Sequence, residues 1–167
     1  CEDEMRRFLG KWTSRILFVP YARPSGITHD EYTTKARDRF AKMGYELDSI
    51  HEQANAWQAV HDAQAVFVGG GNTFVLLNEL YKKGVINEIR RKVGEGMPYV
   101  GASAGSNVAG LTIGTTNDMP IAYPPSFQAL GLVPFNINPH YLDPDTNSTH
   151  QGETRETRIK EFHFLFF

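Results

Sequence analysis

The sequence predicts an α/β fold, a mostly parallel sheet with helices on both faces, and three features support that prediction. The runs RILFVPYA, QAVFVGGG and MPYVGAS are largely apolar without alternation, which is typical of strands buried on both faces. Helical patterns lie between these runs, and such alternation favours parallel strands joined by helical crossovers. A length of 167 residues with 41% hydrophobic and 22% charged residues fits one globular domain.

The first half of the chain begins with a short predicted helix over residues 2–9, which Gly10 closes before the first strand. Thr28 and Glu31 have the spacing of a capping box, and the apolar residues that follow at helical spacing predict a helix ending near Gly44. YELDSIH then alternates as a strand, NAWQAVHDA favours a short helix, and QAVFVGGG is the next buried strand.

The second half continues the alternation and then loses it. A helix from residue 72 ends at Gly84, and a second helix over residues 85–93 precedes the strand MPYVGAS. Beyond Gly110 the pattern predicts short strands and loops, then a helix over residues 153–161. The final FHFLFF is typical of a buried strand. We expect one α/β domain over residues 1–167.

The charge argues against nucleic-acid and lipid partners, and the cysteine content indicates the cellular compartment. The net charge of −2 and pI near 6.3 give no general attraction to nucleic acid or anionic lipid. The single cysteine, Cys1, cannot form an intrachain disulfide and fits a reducing cytosol. No stretch approaches the roughly 20 apolar residues that span a bilayer. We therefore predict a cytoplasmic protein without nucleic-acid or membrane partners.

The segment GASAG matches G-x-S-x-G, the pattern of a nucleophile elbow, around Ser103. An apolar strand precedes it and SNVAGL can begin a helix, which is the context that such an elbow requires. The alternative is a small-residue turn with no chemistry. Because a serine hydroxyl is a weak nucleophile by itself, a catalytic Ser103 also needs a base and an orienting carboxylate.

His140 is the favoured base among six histidines, because Pro139 stiffens its approach and the preceding apolar run should end at the sheet edge that holds Ser103. A capping or core role is the alternative. Asp118 lies between the two in sequence, which gives the chain order Ser, Asp, His of the α/β-hydrolases. An ordinary turn residue is the alternative for Asp118, and Asp143 and Asp145 are the other candidate carboxylates.

The segment GGGNT, Gly69 to Thr73, provides bare backbone at the end of a neighbouring strand. The amides of Gly70 or Gly71 could join that of Ala104 in an oxyanion hole. A phosphate loop is the weaker interpretation, since GGGNTF lacks both G-x-G-x-x-G and the lysine of a P-loop. The sequence shows no metal-ligand spacing, so we expect neither a metal nor a cofactor.

The blocks VGGGNTF, GASAGSNVA, TTNDMPI, INPHY and GETRETRIKEF together resemble peptidase E, the α-aspartyl dipeptidase family, in order and spacing. The resemblance implies a serine peptidase on a flavodoxin-like sheet related to class I glutamine amidotransferases, with a small Asp-Xaa dipeptide as substrate. It also implies that the hydrolytic domain of residues 1–167 lacks an N-terminal strand and a C-terminal segment that the family has. It implies Ser103 as nucleophile, His140 as base and Asp118 as orienting carboxylate, with a glutamate beyond the present sequence as the competing candidate.

The resemblance also implies two substrate-binding residues, Arg155 for the aspartyl carboxylate and Asn72 for the substrate or the loop. Arg155 as a solvated helix charge is the alternative. Two other functions stay open from the sequence: a cyanophycinase-like peptidase of β-aspartyl-arginine linkages, and a catalytically silent relative that binds a ligand. The sequence does not specify the oligomeric state, and a homodimer is one arrangement that it allows.

Overall fold

Four parallel strands form the sheet of the computed structural model, which describes residues 2–141 and 154–166. The strands are β1 (Arg15–Val19), β2 (Glu46–Ser49), β3 (Val66–Val68) and β4 (Tyr99–Gly101). Their order is β2-β1-β3-β4, and every pairing is parallel. This is the order of the first four strands of flavodoxin-like doubly wound sheets. The predicted parallel α/β fold is confirmed.

Seven α-helices and one 3-10 turn (Ile50–Glu52) surround or follow the strands within the described residues. The α-helices are α1 (Glu2–Leu9), α2 (His29–Lys42), α3 (Ala56–Asp62), α4 (Thr73–Lys82), α5 (Ile86–Gly94), α6 (Ala104–Asn107) and α7 (Arg155–Phe166). The predicted capping box is present at the start of α2, where the Thr28 hydroxyl accepts from the Glu31 amide and the Glu31 carboxylate accepts from the Thr28 amide.

The two faces of β1 explain its continuous apolar sequence. Ile16 and Phe18 pack with α1 and α2, whereas Leu17 and Val19 pack with α4 and α5 on the opposite face. Successive side chains of a strand point to opposite faces, so a strand covered on both sides needs apolar residues at every position. Phe18 is completely buried and contacts the ring of Tyr32 edge-on.

The C-terminal part differs from the sequence prediction. Residues 162–166 of the FHFLFF run belong to helix α7 and are not a buried strand, since Phe164 and Leu165 are 88% and 73% exposed. Between Gly110 and Tyr141 the described residues form loops with one isolated antiparallel bridge, Thr112 to Gln128. Apolar composition alone could not distinguish an exposed helix from a strand in so short a run.

Glu88 of α5 links this helix to α3 through charge. Its side chain is 5% exposed and accepts hydrogen bonds from Arg91 at 2.6 Å and from His61 at 2.9 Å. Arg91 first, and His61 second, lower the pKa of Glu88 from its ordinary 4.5 to about 2. Since the folded protein lowers this pKa, the ionised carboxylate stabilises the fold above pH 4.5, and that contribution is lost as pH falls towards 2.

We expect Glu88→Gln to lower the melting temperature near pH 6, and the difference from the wild type to shrink as pH falls from 4.5 to 2. Calorimetry across this range measures the difference. Glu4→Gln is the control, because Glu4 forms only an exposed ion pair with Arg7. A difference from the wild type that is the same at every pH would contradict the assigned charge effect.

Candidate active site

Ser103 occupies the sharp turn between β4 and α6. Its backbone has φ 52° and ψ −107°, a region that residues with side chains rarely adopt. Strained backbone at a serine between a strand and a helix is the geometry of a nucleophile elbow. The side chain is partly exposed, so a ligand can reach the hydroxyl from solvent.

The turn is possible because glycine flanks Ser103 where the backbones touch. A Cβ on Gly105 would lie 2.2 Å from the carbonyl oxygen of Val68 at the end of β3. A Cβ on Gly101 would lie 2.6 Å from the Gly105 backbone. Only glycine therefore lets α6 begin directly against β3, which explains the two glycines of G-x-S-x-G in this chain.

His140 meets Ser103, as the sequence reasoning required. Nε2 of His140 lies 2.9 Å from Oγ of Ser103. With the hydroxyl as donor, Nε2 is the acceptor and the proton of the neutral ring is on Nδ1. Nδ1 has no hydrogen-bond partner within residues 2–141 and 154–166. The pair can transfer a proton from the hydroxyl to the imidazole.

Polar contacts hold the segment before His140, which is a loop and not the strand that the apolar run suggested. Arg155 at the start of α7 donates through Nη1 to the carbonyl of Pro139 at 2.9 Å and to Oδ1 of Asn138 at 3.3 Å. Asn138 in turn donates to the carbonyl of Thr115 at 2.6 Å. Arg155 therefore contacts the residue that precedes His140. Glu153, the predicted start of this helix, is outside the described residues.

The glycine loop after β3 lies directly against Ser103. A Cβ on Gly70 would be 3.1 Å from Cβ of Ser103. The Gly70 amide itself donates to the Tyr32 hydroxyl at 3.0 Å. In the described part of the chain the amides of Gly71 and Ala104 have no hydrogen-bond partner, so these two can donate to a ligand. Gly71 has φ 150°, and a Cβ there would lie 2.1 Å from the carbonyl oxygen of Ala22.

The carboxylate of Asp118 contacts Thr73 at the start of α4. Oδ2 accepts from the Thr73 amide at 2.7 Å and from its hydroxyl at 2.5 Å. No hydrogen bond joins Asp118 to His140 in the described structure, so the expected orienting contact is not made here. Asp143 and Asp145, the alternative carboxylates, lie outside the described residues.

Asn72 uses both ends of its amide within the protein. Oδ1 accepts from the Val75 amide at 3.1 Å and so caps α4, and Nδ2 donates to the carbonyl of Met119 at 2.8 Å. Together with Thr73, it ties the loop around Asp118 to the end of the glycine loop. We expected Asn72 to hold either the substrate or the loop, and the contact with Met119 is of the second kind.

One group of described residues has the composition of a metal site. Ligand atoms of Asp30, His51 and Glu52 lie within 4.8 Å of one another. His51 is already hydrogen-bonded to Asp30 at 2.8 Å, and Glu52 is paired with Arg37, whose charge competes with a cation. Asp30 lies in the first turn of α2, and His51 and Glu52 lie in the short turn after β2. None of its members belongs to the Ser103–His140 pair.

Within the described part of the chain, no helix combines the length and the apolar character that crossing a bilayer demands.

Comparison with known sequences gives a family and several similar proteins. Residues 1–165 match the family model of peptidase family S51. A "Probable alpha-aspartyl dipeptidase" of Drosophila melanogaster is 56% identical over 148 residues, 88% of this chain and 60% of that protein. A "Peptidase E" of Streptomyces coelicolor is 52% identical over 149 residues, 89% of this chain and 60% of that protein. The chain thus spans about 60% of the length of these relatives.

Comparison with solved structures agrees on the fold. A crystal structure of a peptidase E protein from Listeria monocytogenes EGD-e superposes with a TM-score of 0.74 at 23% identity, covering 96% of this chain and 81% of that one. A peptidase from an acI-B1 Actinobacterium superposes with a TM-score of 0.56 at 20% identity, over 71% of this chain and 51% of that one. The flavodoxin-like fold, related to that of class I glutamine amidotransferases, is confirmed.

The elbow geometry predicts that Gly105→Ala lowers the free energy of unfolding by about 1–3 kcal/mol or more, since the added methyl must displace the Val68 carbonyl. Urea denaturation measures the loss. Gly94→Ala is the matched control, because a Cβ there has no heavy atom within 4 Å among those described. Equal stabilities of the two variants would show that α6 does not need this close approach.

Proposed function

Because the chain belongs to peptidase family S51, we propose that it is a serine dipeptidase that hydrolyses dipeptides with a free N-terminal aspartate through an acyl-enzyme. The observation that carries this proposal is the 2.9 Å separation between Nε2 of His140 and Oγ of Ser103. A hydroxyl and an imidazole at this distance can share a proton, which is the first requirement of a serine nucleophile.

In the first step, Ser103 attacks the carbonyl carbon of the peptide bond while its proton passes to Nε2 of His140. The imidazolium then protonates the leaving amine, and the aspartyl group remains on Ser103 as an ester. A water molecule, deprotonated by the same imidazole, attacks the ester carbon, and aspartate leaves as the imidazolium returns the proton to Oγ of Ser103. Each bond broken is matched by one formed, and no other reactant is needed.

The amides of Gly71 and Ala104 form the oxyanion hole in this proposal. Both amides lack a partner among the described residues, and they come from the loop after β3 and from the first residue of α6. Gly70 is not a donor in this proposal, since its own amide is bonded to Tyr32. Removal of one such donor typically lowers kcat by about 100- to 1000-fold.

Arg155 is the proposed partner of the substrate's aspartyl carboxylate. One of its terminal nitrogens, Nη1, holds the Asn138–Pro139 segment beside His140. A guanidinium has five N–H donors, so further donors remain for a carboxylate. Asn72 acts by holding the neighbouring loop through Met119.

We also propose a cytoplasmic location, because a chain with one cysteine suits a reducing compartment.

The test is hydrolysis of Asp-Leu, Glu-Leu, Ala-Leu and β-Asp-Arg by the wild type and by Ser103→Ala and His140→Ala. We expect cleavage of Asp-Leu only, and a loss of at least about 1000-fold in either variant, since the two side chains act as one unit. Liquid chromatography of the released amino acids measures the rates. Cleavage of β-Asp-Arg in place of Asp-Leu would assign a different substrate class, and undiminished rates in Ser103→Ala would reject a serine mechanism.

Asp118→Asn distinguishes an orienting from a supporting carboxylate. Because Asp118 bonds to Thr73 and not to His140, we expect its kcat for Asp-Leu to fall by less than 100-fold, far less than that of Ser103→Ala. Lys35→Ala on the exposed face of α2 serves as the control. A loss in Asp118→Asn as large as that in Ser103→Ala would make Asp118 the orienting carboxylate.

A further inference from the structure

Arg23 is bonded to the proposed oxyanion loop, although no motif in the sequence singled it out. It follows β1 at the carboxyl edge of the sheet, and its Nε donates to the carbonyl oxygen of Gly70 at 3.0 Å. The guanidinium carbon lies 5.3 Å from the centroid of the Tyr32 ring. This contact between a cation and an aromatic face holds the side chain over the loop.

The carbonyl that Arg23 binds and the amide proposed to bind the oxyanion belong to the same peptide group. The C=O of Gly70 and the N–H of Gly71 lie in one plane, so fixing the oxygen also fixes the direction of the N–H. A charge-assisted bond to the carbonyl also polarises the peptide, which makes the N–H a stronger donor. Glycine has no side chain to restrict this peptide, so the restraint must come from neighbours.

Tyr32 restrains the other side of Gly70. Its hydroxyl accepts from the Gly70 amide at 3.0 Å and lies 3.4 Å from the Gly70 carbonyl. Cβ of Ser103 is 3.1 Å from the position that a Cβ on Gly70 would take. The restrained peptide is therefore next to the nucleophile, and the Arg23 charge is one peptide group away from the site where negative charge develops.

We propose that Arg23 is a positioning residue of the oxyanion hole, which acts by orienting and polarising the Gly70–Gly71 peptide. The inference rests on the proposed serine mechanism and goes beyond it, since Arg23 need not touch the substrate. Its effect appears in the transition state, when the carbonyl oxygen of the substrate becomes negative, and is small in the ground state.

The test compares Arg23→Gln and Arg23→Lys with the wild type on Asp-Leu and on the thioamide analogue, in which sulfur replaces the carbonyl oxygen. We expect Arg23→Gln to lower kcat about tenfold with KM changed by less than about twofold, because the donor is loosened and not removed. The preference for oxygen over sulfur should also fall, since sulfur gains less from an oxyanion hole. Arg23→Lys should recover part of kcat, because it keeps the cation.

The control is Arg39→Gln, an exposed arginine of α2 that pairs with Glu2. Melting temperatures of all variants separate catalytic effects from loss of fold. A kcat for Arg23→Gln within twofold of an active wild type would overturn the inference and leave the proposed function intact. Equal losses on the two substrates would also overturn it, since they would indicate a general structural role.

A second measurement keeps the two proposals separate if no dipeptide is cleaved. Fluorophosphonate labelling of Ser103 also places negative charge on an oxygen in its transition state, so its rate depends on the oxyanion hole. Slower labelling of Arg23→Gln than of the wild type supports the role of Arg23 even if the proposed substrate is wrong. Equal labelling rates overturn that role, and absence of labelling in every protein rejects both the serine mechanism and the inference.

Discussion

The contact between Gly105 and the carbonyl of Val68 positions the rest of the site. A Cβ at this point would lie 2.2 Å from the carbonyl oxygen, so α6 can start against β3 only with glycine. That close approach accompanies the strained backbone at Ser103 and places this residue, the proposed nucleophile, next to the glycine loop. Strain of this kind persists only where the surrounding structure determines it, and here the parallel pairing of β3 with β4 does so.

The chemistry is assembled from segments far apart in sequence. Ser103 comes from the end of β4, the unpaired amide of Gly71 from the loop after β3, and His140 from a loop that Arg155 of α7 holds through Pro139. A parallel sheet makes this arrangement possible, because the carboxyl ends of its strands meet at one edge. Asp118 also joins segments far apart in sequence, since its bonds to Thr73 connect the loop around residue 118 to the start of α4.

Much of the fold could be predicted, since strands buried on both faces and a capping box leave local patterns in the sequence. Ser103 and His140 could be predicted too, because the elbow motif and a proline-stiffened approach are local signals and the structure places the pair at 2.9 Å. No local pattern predicted the contact of Tyr32, whose hydroxyl reaches Gly70 from α2. Contacts that depend on how a loop folds over another strand have no local signature. The prediction of a strand at the end of α7 was wrong, because a short apolar run suits either a strand or a helix.

The most direct test of the account is to trap the covalent intermediate. The protein is mixed with an aspartyl ester, quenched with acid within milliseconds to seconds, and digested for mass spectrometry of the peptide that contains Ser103. The account predicts that this peptide gains the mass of one aspartyl group, that the gain disappears in Ser103→Ala, and that it forms far more slowly in His140→Ala. Ester turnover without any covalent adduct, or with an adduct on another residue, would contradict the role of the Ser103–His140 pair.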